Sequence, residues 1–299
     1  MIEMLRTPDN RFYGLVDFPY EPNYVEINGG RLHYIDEGEG EVILCLHGEP
    51  SWSFLYRKMI APLKKNYRVI APDFFGFGRS DKFTKQQDYS FNMHYRTLIK
   101  FIQKTELKNI TLVVQDWGGL IGLSVLGKHP ELFKRVVIMN TSLPIGNKPM
   151  PLVFKLWQAF AKYWPTFPVA RIMKKGSHHN LKGPVLRGYS APFPSKKYMQ
   201  GARAWPQLVP SSSDDPGVKH MVQAREVLKN WTKPALVMFS DKDPITRGAE
   251  KWFLKNIPSV KNEPLITIRG AGHFLQEDKG KLIAEHIHEF IIRSNQNPA

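Results

Sequence analysis

The sequence predicts an α/β protein: a mostly parallel central sheet flanked by helices and interrupted by a helical insert. Three observations carry this. Strand-like and helix-like segments alternate over residues 24–139 and again over 235–292, the pattern of a parallel sheet with crossover helices. Between residues 143 and 228 the alternation fails, and eleven prolines break the stretch into short amphipathic pieces. Residues able to do chemistry fall where the predicted strands end, as they do in open α/β sheets. The expected division is a core domain of 1–142 plus 229–299, with residues 143–228 as a helical cap.

The elements follow in order. Runs at 24–27 and 31–36 flank Asn28-Gly29-Gly30, a hairpin signal. Residues 42–46 form a short apolar run ending at His47-Gly48, as a buried central strand reads. Phe54, Leu55, Met59, Ile60 and Leu63 then recur at helical spacing. A strand at 67–71 leads into a glycine-punctuated loop from Pro72-Asp73 to Arg79-Ser80, and a helix at 91–105 is capped by Ser90 or Asn92. In Leu112-Val113-Val114-Gln115-Asp116-Trp117-Gly118-Gly119-Leu120 a β-branched run stops at an acid, and two glycines open a helix over 120–128. This is the layout of a nucleophile elbow, with aspartate where serine is usual. The other reading is an Asp N-cap on an ordinary βα unit. Strands at 135–139, 235–239 and 265–268 and helices at 248–256 and 282–292 complete the core.

With 299 residues the chain is one large domain, or one domain carrying an insertion. Cys45 is its one cysteine, which fits a reducing compartment. Residues 1–10 lack an apolar signal core, and no apolar run is long enough to span a bilayer. The expectation is a cytoplasmic protein without a membrane partner. The net charge of +15 is concentrated: residues 143–228 hold thirteen Lys and Arg against three acids. These cations are scattered singly among Pro, Trp and Phe, and no nucleic-acid motif accompanies them. They read as a solvated basic surface, and nucleic acid is not expected as a partner.

The strand ends supply a set of reactive groups. They are His47-Gly48-Glu49-Pro50, Asp73, Asp116, Asp241-Lys242-Asp243 and Gly270-Ala271-Gly272-His273-Phe274. Residue 139 is followed by Asn140, so no acid competes there. Nucleophile, acid and base thus occur in the order Asp116, Asp243, His273. Asp243 would hold and charge-stabilise the imidazole of His273, with Asp241 as its rival. The backbone N–H groups of Glu49 and Trp117 would form an oxyanion hole. The Glu49 side chain needs a partner, and Arg57 or Arg79 are the candidates. Asp73 is expected to brace its loop. The adjacent pair His178-His179 is a poor metal site, and no metal is expected.

An aspartate nucleophile narrows the reaction. A carboxylate is ionised at neutral pH without a base, suits displacement at a saturated carbon, and leaves an ester on the enzyme. His273 would then activate water against that ester. An epoxide leaving group needs a proton donor. A halide needs only N–H donors in a dry pocket, and Trp117 offers one.

Taken together, His47-Gly48-Glu49-Pro50-Ser51-Trp52, Ala71-Pro72-Asp73, Phe77-Gly78-Arg79-Ser80-Asp81-Lys82, Gln115-Asp116-Trp117-Gly118-Gly119, Ala191-Pro192-Phe193-Pro194 and Gly270-Ala271-Gly272-His273-Phe274 resemble a haloalkane dehalogenase of the α/β-hydrolase fold. The resemblance covers nearly the whole chain. It implies that a haloalkane and water give alcohol and halide, without metal or organic cofactor. Two side-chain N–H groups of the family bind the halide. With Glu49 where one branch has asparagine, the chain resembles the branch using a lid tryptophan, which also takes its triad acid from the later strand, as Asp243. Trp117 is then one halide ligand, and Trp157, Trp164 and Trp205 compete to be the other. Phe154-Lys155-Leu156-Trp157 matches the family's position best, which makes Trp157 the ligand and Phe154 a pocket residue. The alternatives are an epoxide hydrolase with a lid acid at Tyr163, Tyr189 or Tyr198, and a non-catalytic protein binding a partner through its basic lid.

Overall fold

The computed structural model describes residues 3–147, 150, 152–164 and 166–296. Its main sheet comprises β1 (Asn23–Ile27), β2 (Gly30–Glu37), β3 (Val42–Leu46), β4 (Arg68–Pro72), β5 (Ile110–Gln115), β6 (Phe133–Met139), β7 (Ala235–Ser240) and β8 (Ile266–Ile268). In space these run β8-β7-β6-β5-β3-β4-β2-β1. Neighbours from β4 through β8 are parallel, and β2 and β1 add an antiparallel edge. The edge hairpin turns on Asn28 and Gly29, both at positive φ (54° and 78°), the two-residue turn that Asn-Gly favours. β5 and β7 are buried throughout, as are β3 beyond its first residue and β6 apart from Lys134, because helices cover both sheet faces.

The chain leaves β3 for β4 on one side and returns to β5 on the other. The carboxyl ends of β3 and β5 therefore meet at the switch point where an open sheet leaves a crevice. Helix α1 (Arg57–Leu63) follows β3, and α2 (Phe91–Lys104) follows β4, its Met93 N–H donating to Ser90 Oγ at 3.1 Å, so Ser90 is the cap. Helix α3 (Trp117–Lys128) follows β5 and is buried from Trp117 to Gly127. A Cβ on Gly118 would stand 2.0 Å from the Leu46 carbonyl oxygen, so only glycine lets α3 cross β3 in backbone contact.

Between β6 and β7 the chain forms α4 (Leu152–Tyr163), α5 (Val169–Gly176), α6 (Gly183–Ser190) and α7 (Gln200–Ala204). Helix α8 (Val218–Lys229) packs along α3, with Gly127 against the Ala224 backbone. That contact places α8 with the layer covering the sheet, although it precedes the boundary expected at 228. After α9 (Glu250–Asn256), the closing helix α10 (Leu275–Gln296) starts seven residues before the expected 282 and bends at Lys279, φ −135° and ψ 30°. Its first turn carries buried Glu277, which accepts from Arg57 Nη1 and Nη2 at 2.7 and 2.9 Å and from Tyr189 Oη at 2.6 Å. Burial works against that carboxylate, yet these donors hold it at about 2. The cluster ties α1, α10 and the lid helix α6 together, and Trp52 Nε1 adds a bond to Gly188 O at 3.1 Å. Among the described residues no helix is long and apolar enough to cross a membrane.

Candidate active site

Asp116 stands between β5 and α3 with φ 50° and ψ −126°. A non-glycine residue there carries strain of about 1–3 kcal/mol, and its neighbours hold it in place. Its N–H donates to Asn140 O at 3.0 Å, and its carbonyl accepts from Gly119 N at 2.9 Å and Thr141 Oγ1 at 2.7 Å. The side chain is thereby pushed above the sheet. Asp116 Oδ1 accepts the Glu49 backbone N–H at 2.8 Å. Gly48 permits this approach, since a Cβ there would lie 2.3 Å from that oxygen. The Trp117 N–H opens α3 and has no carbonyl within the helix to bond to.

His273 follows β8 and is buried, and its two nitrogens face two carboxylates. Nε2 is 3.4 Å from Asp116 Oδ2, and Nδ1 is 3.1 Å from Asp243 Oδ2. Asp243 is aimed by its own turn: Ile245 N donates to Oδ1 at 2.8 Å, Thr246 N to Oδ2 at 3.2 Å, and Thr246 Oγ1 also to Oδ2. Asp241 instead accepts the N–H groups of Gly270 and Ala271 at 2.8 and 3.4 Å and shapes the histidine loop.

Burial disfavours the imidazolium, but the Asp243 charge and the bonds to Asp116 and Asp243 outweigh it and push His273 up to about 10. For Asp243 burial works upward, yet the His273 charge and the surrounding donors bring the carboxyl down to about 2. These are two views of one interaction. Because the histidine value lies above the ordinary 6.5, the stabilisation is complete below pH 6.5 and is lost as pH rises through about 10. Because the Asp243 value lies below 3.8, it is complete above pH 3.8 and is lost as pH falls through about 2. Thermal melting should therefore fall from pH 6.5 towards 10, and Asp243→Asn should flatten that slope. Equal slopes in the two proteins would contradict this coupling.

Two residues without an assigned role support the histidine. Gln115 Nε2 lies 3.1 Å from His273 Nε2 and donates to His273 O at 3.2 Å. Asn140 Nδ2 donates to Ser240 Oγ at 2.8 Å and to the carbonyls of Gly272 and His273, both at 3.1 Å, while its Oδ1 accepts Ser240 N at 3.0 Å. Asn140 thus staples the ends of β6 and β7 to the histidine loop. A polar residue directly after the apolar run Val136-Val137-Ile138-Met139 is the available signal.

Glu49 has neither of its candidate partners. Arg57 is committed to Glu277, and the Arg79 guanidinium lies 4.7 Å from the Phe12 ring centroid. Glu49 Oε1 is buried without a hydrogen-bond partner among the described residues. Burial, then the nearby Asp116 charge, pushes its carboxyl well above the usual range, which favours its neutral form. Asp73 accepts from His33 Nδ1 and Ser53 N at 2.7 Å and from Arg79 N at 2.9 Å, bracing its loop. The backbone N–H groups of His178 and His179 both donate to Asp278.

The indoles separate by environment. Trp117 packs against Trp205, ring centroids 5.0 Å apart. Trp205 is fully buried, and its Nε1 donates to His94 Nε2 at 2.6 Å. Trp164 is exposed. Trp157 is half-buried against the core, stacked on Phe160 at 5.6 Å, with half-buried Phe154 one turn earlier. Among the described residues neither the Trp117 nor the Trp157 indole N–H is donated to a protein group. Of the lid tyrosines, Tyr163 is exposed, Tyr198 is half-buried, and the Tyr189 hydroxyl is committed to Glu277.

Comparison with known proteins places this site in context. The family model described as alpha/beta hydrolase fold matches residues 41–170. A haloalkane dehalogenase of Psychrobacter cryohalolentis is 43% identical over 298 residues, 97% of this chain and 98% of its own length. Haloalkane dehalogenase 1 of Mycobacterium bovis is 45% identical over 294 residues, 96% and 98% respectively. The solved structure of a tetrameric haloalkane dehalogenase from Paraglaciecola agarilytica superposes with a TM-score of 0.89 at 40% identity, covering 95% of this chain and 97% of that one.

Proposed function

Because the chain belongs to the haloalkane dehalogenase family, we propose that it cleaves carbon–halogen bonds through an alkyl ester on Asp116, hydrolysed by water that His273 activates. The observation that carries this reading is the division of labour on one carboxylate: Oδ1 takes the Glu49 N–H at 2.8 Å, and Oδ2 lies 3.4 Å from His273 Nε2.

In the first step Asp116 Oδ2 attacks the halogen-bearing carbon from behind. The C–O bond forms as the carbon–halogen bond breaks, and the electron pair leaves with the halide. The indole N–H groups of Trp117 and Trp157 receive the anion, and Phe154 lines the pocket. Charge-assisted bonds of this kind stabilise the leaving group in a water-poor site. Esterification removes the Asp116 charge that helped hold the proton on His273. The imidazolium then gives that proton to solvent, and the neutral imidazole takes a proton from water, whose oxygen attacks Cγ of Asp116. The negative charge builds on Oδ1, already on the Glu49 N–H, with Trp117 N–H as the second donor. Asp243 stabilises the imidazolium. Collapse expels the alkoxide, which takes the proton of the new carboxyl and departs as the alcohol, so Asp116 returns to a carboxylate and His273 to an imidazolium. Substrate, water, alcohol, halide and proton balance without a cofactor. Buried Cys45 has its thiol pushed up by burial, which keeps it out of the chemistry.

Purified protein given 1-bromobutane or 1,2-dibromoethane should release bromide with one proton per halide and leave styrene oxide unconsumed. Losing one bond to a developing anion costs about 1.5–3 kcal/mol, so Trp157→Phe should slow bromide release by roughly 10–10²-fold. Trp205→Phe should mainly lower the melting temperature. Unchanged release in Trp157→Phe would move the second halide ligand elsewhere.

A further inference from the structure

Helix α4 has two apolar faces, and among the described residues only one is packed against the rest of the molecule. The inner face carries Trp157, packed against the core, and buried Ala161. It is anchored by Gln158 Nε2 to Pro206 O at 2.8 Å and by Gln207 Nε2 to Gln158 O at 2.7 Å. On the opposite side Leu152, Leu156 and Tyr163 are spaced so that, at about 100° per residue, they fall in one stripe. Their exposures are 71%, 62% and 72%, and Trp164, just past the helix end, is exposed to 56%. A single exposed leucine needs no explanation, whereas a contiguous stripe marks an interaction surface. Lys155 and Lys162, two turns apart and exposed, run along one edge of the stripe, and α4 contains no acid.

We propose that this outer face of α4 docks on an anionic phospholipid surface. Leu152 and Leu156 would enter the boundary between headgroups and acyl chains, Tyr163 and Trp164 would sit at headgroup level, and the lysines would reach the phosphates. Charge selects this occupant. A second copy applied antiparallel to the same stripe would bring both pairs of lysines to one seam, with no carboxylate on either α4 to meet them, and like charges so placed oppose that assembly. Nucleic acid would engage the lysines but not the leucines. The excess of ten positive charges between residues 143 and 228 acts in the same direction. The docked helix is the one that carries Trp157 inward, so an apolar substrate dissolved in the membrane would arrive at the lid. The docking itself does not depend on which tryptophan binds halide.

The test is co-sedimentation of the full chain with vesicles of phosphatidylcholine alone or mixed with phosphatidylglycerol. Sedimentation is expected with the mixed vesicles, and salt should weaken it. The double variant Leu152→Ser/Leu156→Ser should cut partitioning at least about tenfold, with melting temperature and vesicle-free bromide release unchanged. Lys155→Gln/Lys162→Gln should cut it by roughly thirtyfold, at about 1 kcal/mol per cation, and reduce its salt dependence. The proposal is overturned by no sedimentation, by equal sedimentation with pure phosphatidylcholine, or by either double variant sedimenting like the parent. It is also overturned if the parent is an oligomer that the leucine variant converts to monomer, which would give the face to a second copy.

Discussion

Asp116→Ala should remove bromide release, a fall on the order of 10⁴–10⁶-fold, without unfolding the protein. No other group can take over the displacement. His273 cannot carry the alkyl group and still serve as base, and the surroundings of Glu49 favour its neutral form, a poor nucleophile. Asp116→Asn keeps the shape and the acceptor for the Glu49 N–H but loses the nucleophile, so it should be equally inactive. Asp116→Gly separates chemistry from architecture. The φ of 50° is one that glycine adopts freely, so this variant should be at least as stable as the parent while remaining inactive, as bromide release and thermal melting would report. If the residue were only a helix cap, the order would reverse, with stability lost and turnover kept.

His273→Phe should divide the reaction in two. Displacement requires only Asp116 and the halide ligands, so one bromide per protein should appear in a burst. Hydrolysis requires the base, so the reaction should stop there. The protein should gain the mass of one alkyl group on the peptide holding Asp116, detected by mass spectrometry. Acid should do the same to the parent protein, because a protonated imidazole cannot accept the proton from water, and the ester should accumulate as pH falls. The variant leaves buried Asp243 without its cation, so a lower melting temperature is expected as well. His273→Gln, which can still donate towards Asp243, should recover part of that stability and none of the turnover. An unmodified variant after exposure to 1,2-dibromoethane would contradict the covalent route.

Much of this fold can be read from the sequence because its signals are local. β3, β5 and β6 are short apolar runs, the hairpin turns on Asn28 and Gly29, and Ser90 caps α2 through its own side chain. The elbow is equally legible, since Asp116, Gly118 and Gly119 lie side by side. What escapes is pairing across the chain. The first turn of α10 holds Gln276 and Glu277, buried polar residues that break the apolar period, and Glu277 is held there by Arg57 and Tyr189. Nothing near Glu277 announces a partner 220 residues away. Glu49 errs in the other direction: a buried acid suggests an arginine, whereas its Oε1 has no hydrogen-bond partner among the described residues and Asp116 is its charged neighbour. The stripe on α4 has a similar cause. Helical periodicity reveals an apolar face but not whether the molecule covers it, and Leu156 and Trp157, adjacent in sequence, have opposite fates.

The covalent ester makes a claim about a single oxygen atom. In a single turnover with protein in excess over 1-bromobutane in ¹⁸O water, the alcohol should carry ordinary oxygen, taken from Asp116, and the peptide containing Asp116 should gain one ¹⁸O. Label appearing in the alcohol of that first turnover, with Asp116 unlabelled, would mean that water attacks the halogen-bearing carbon directly and would contradict the ester.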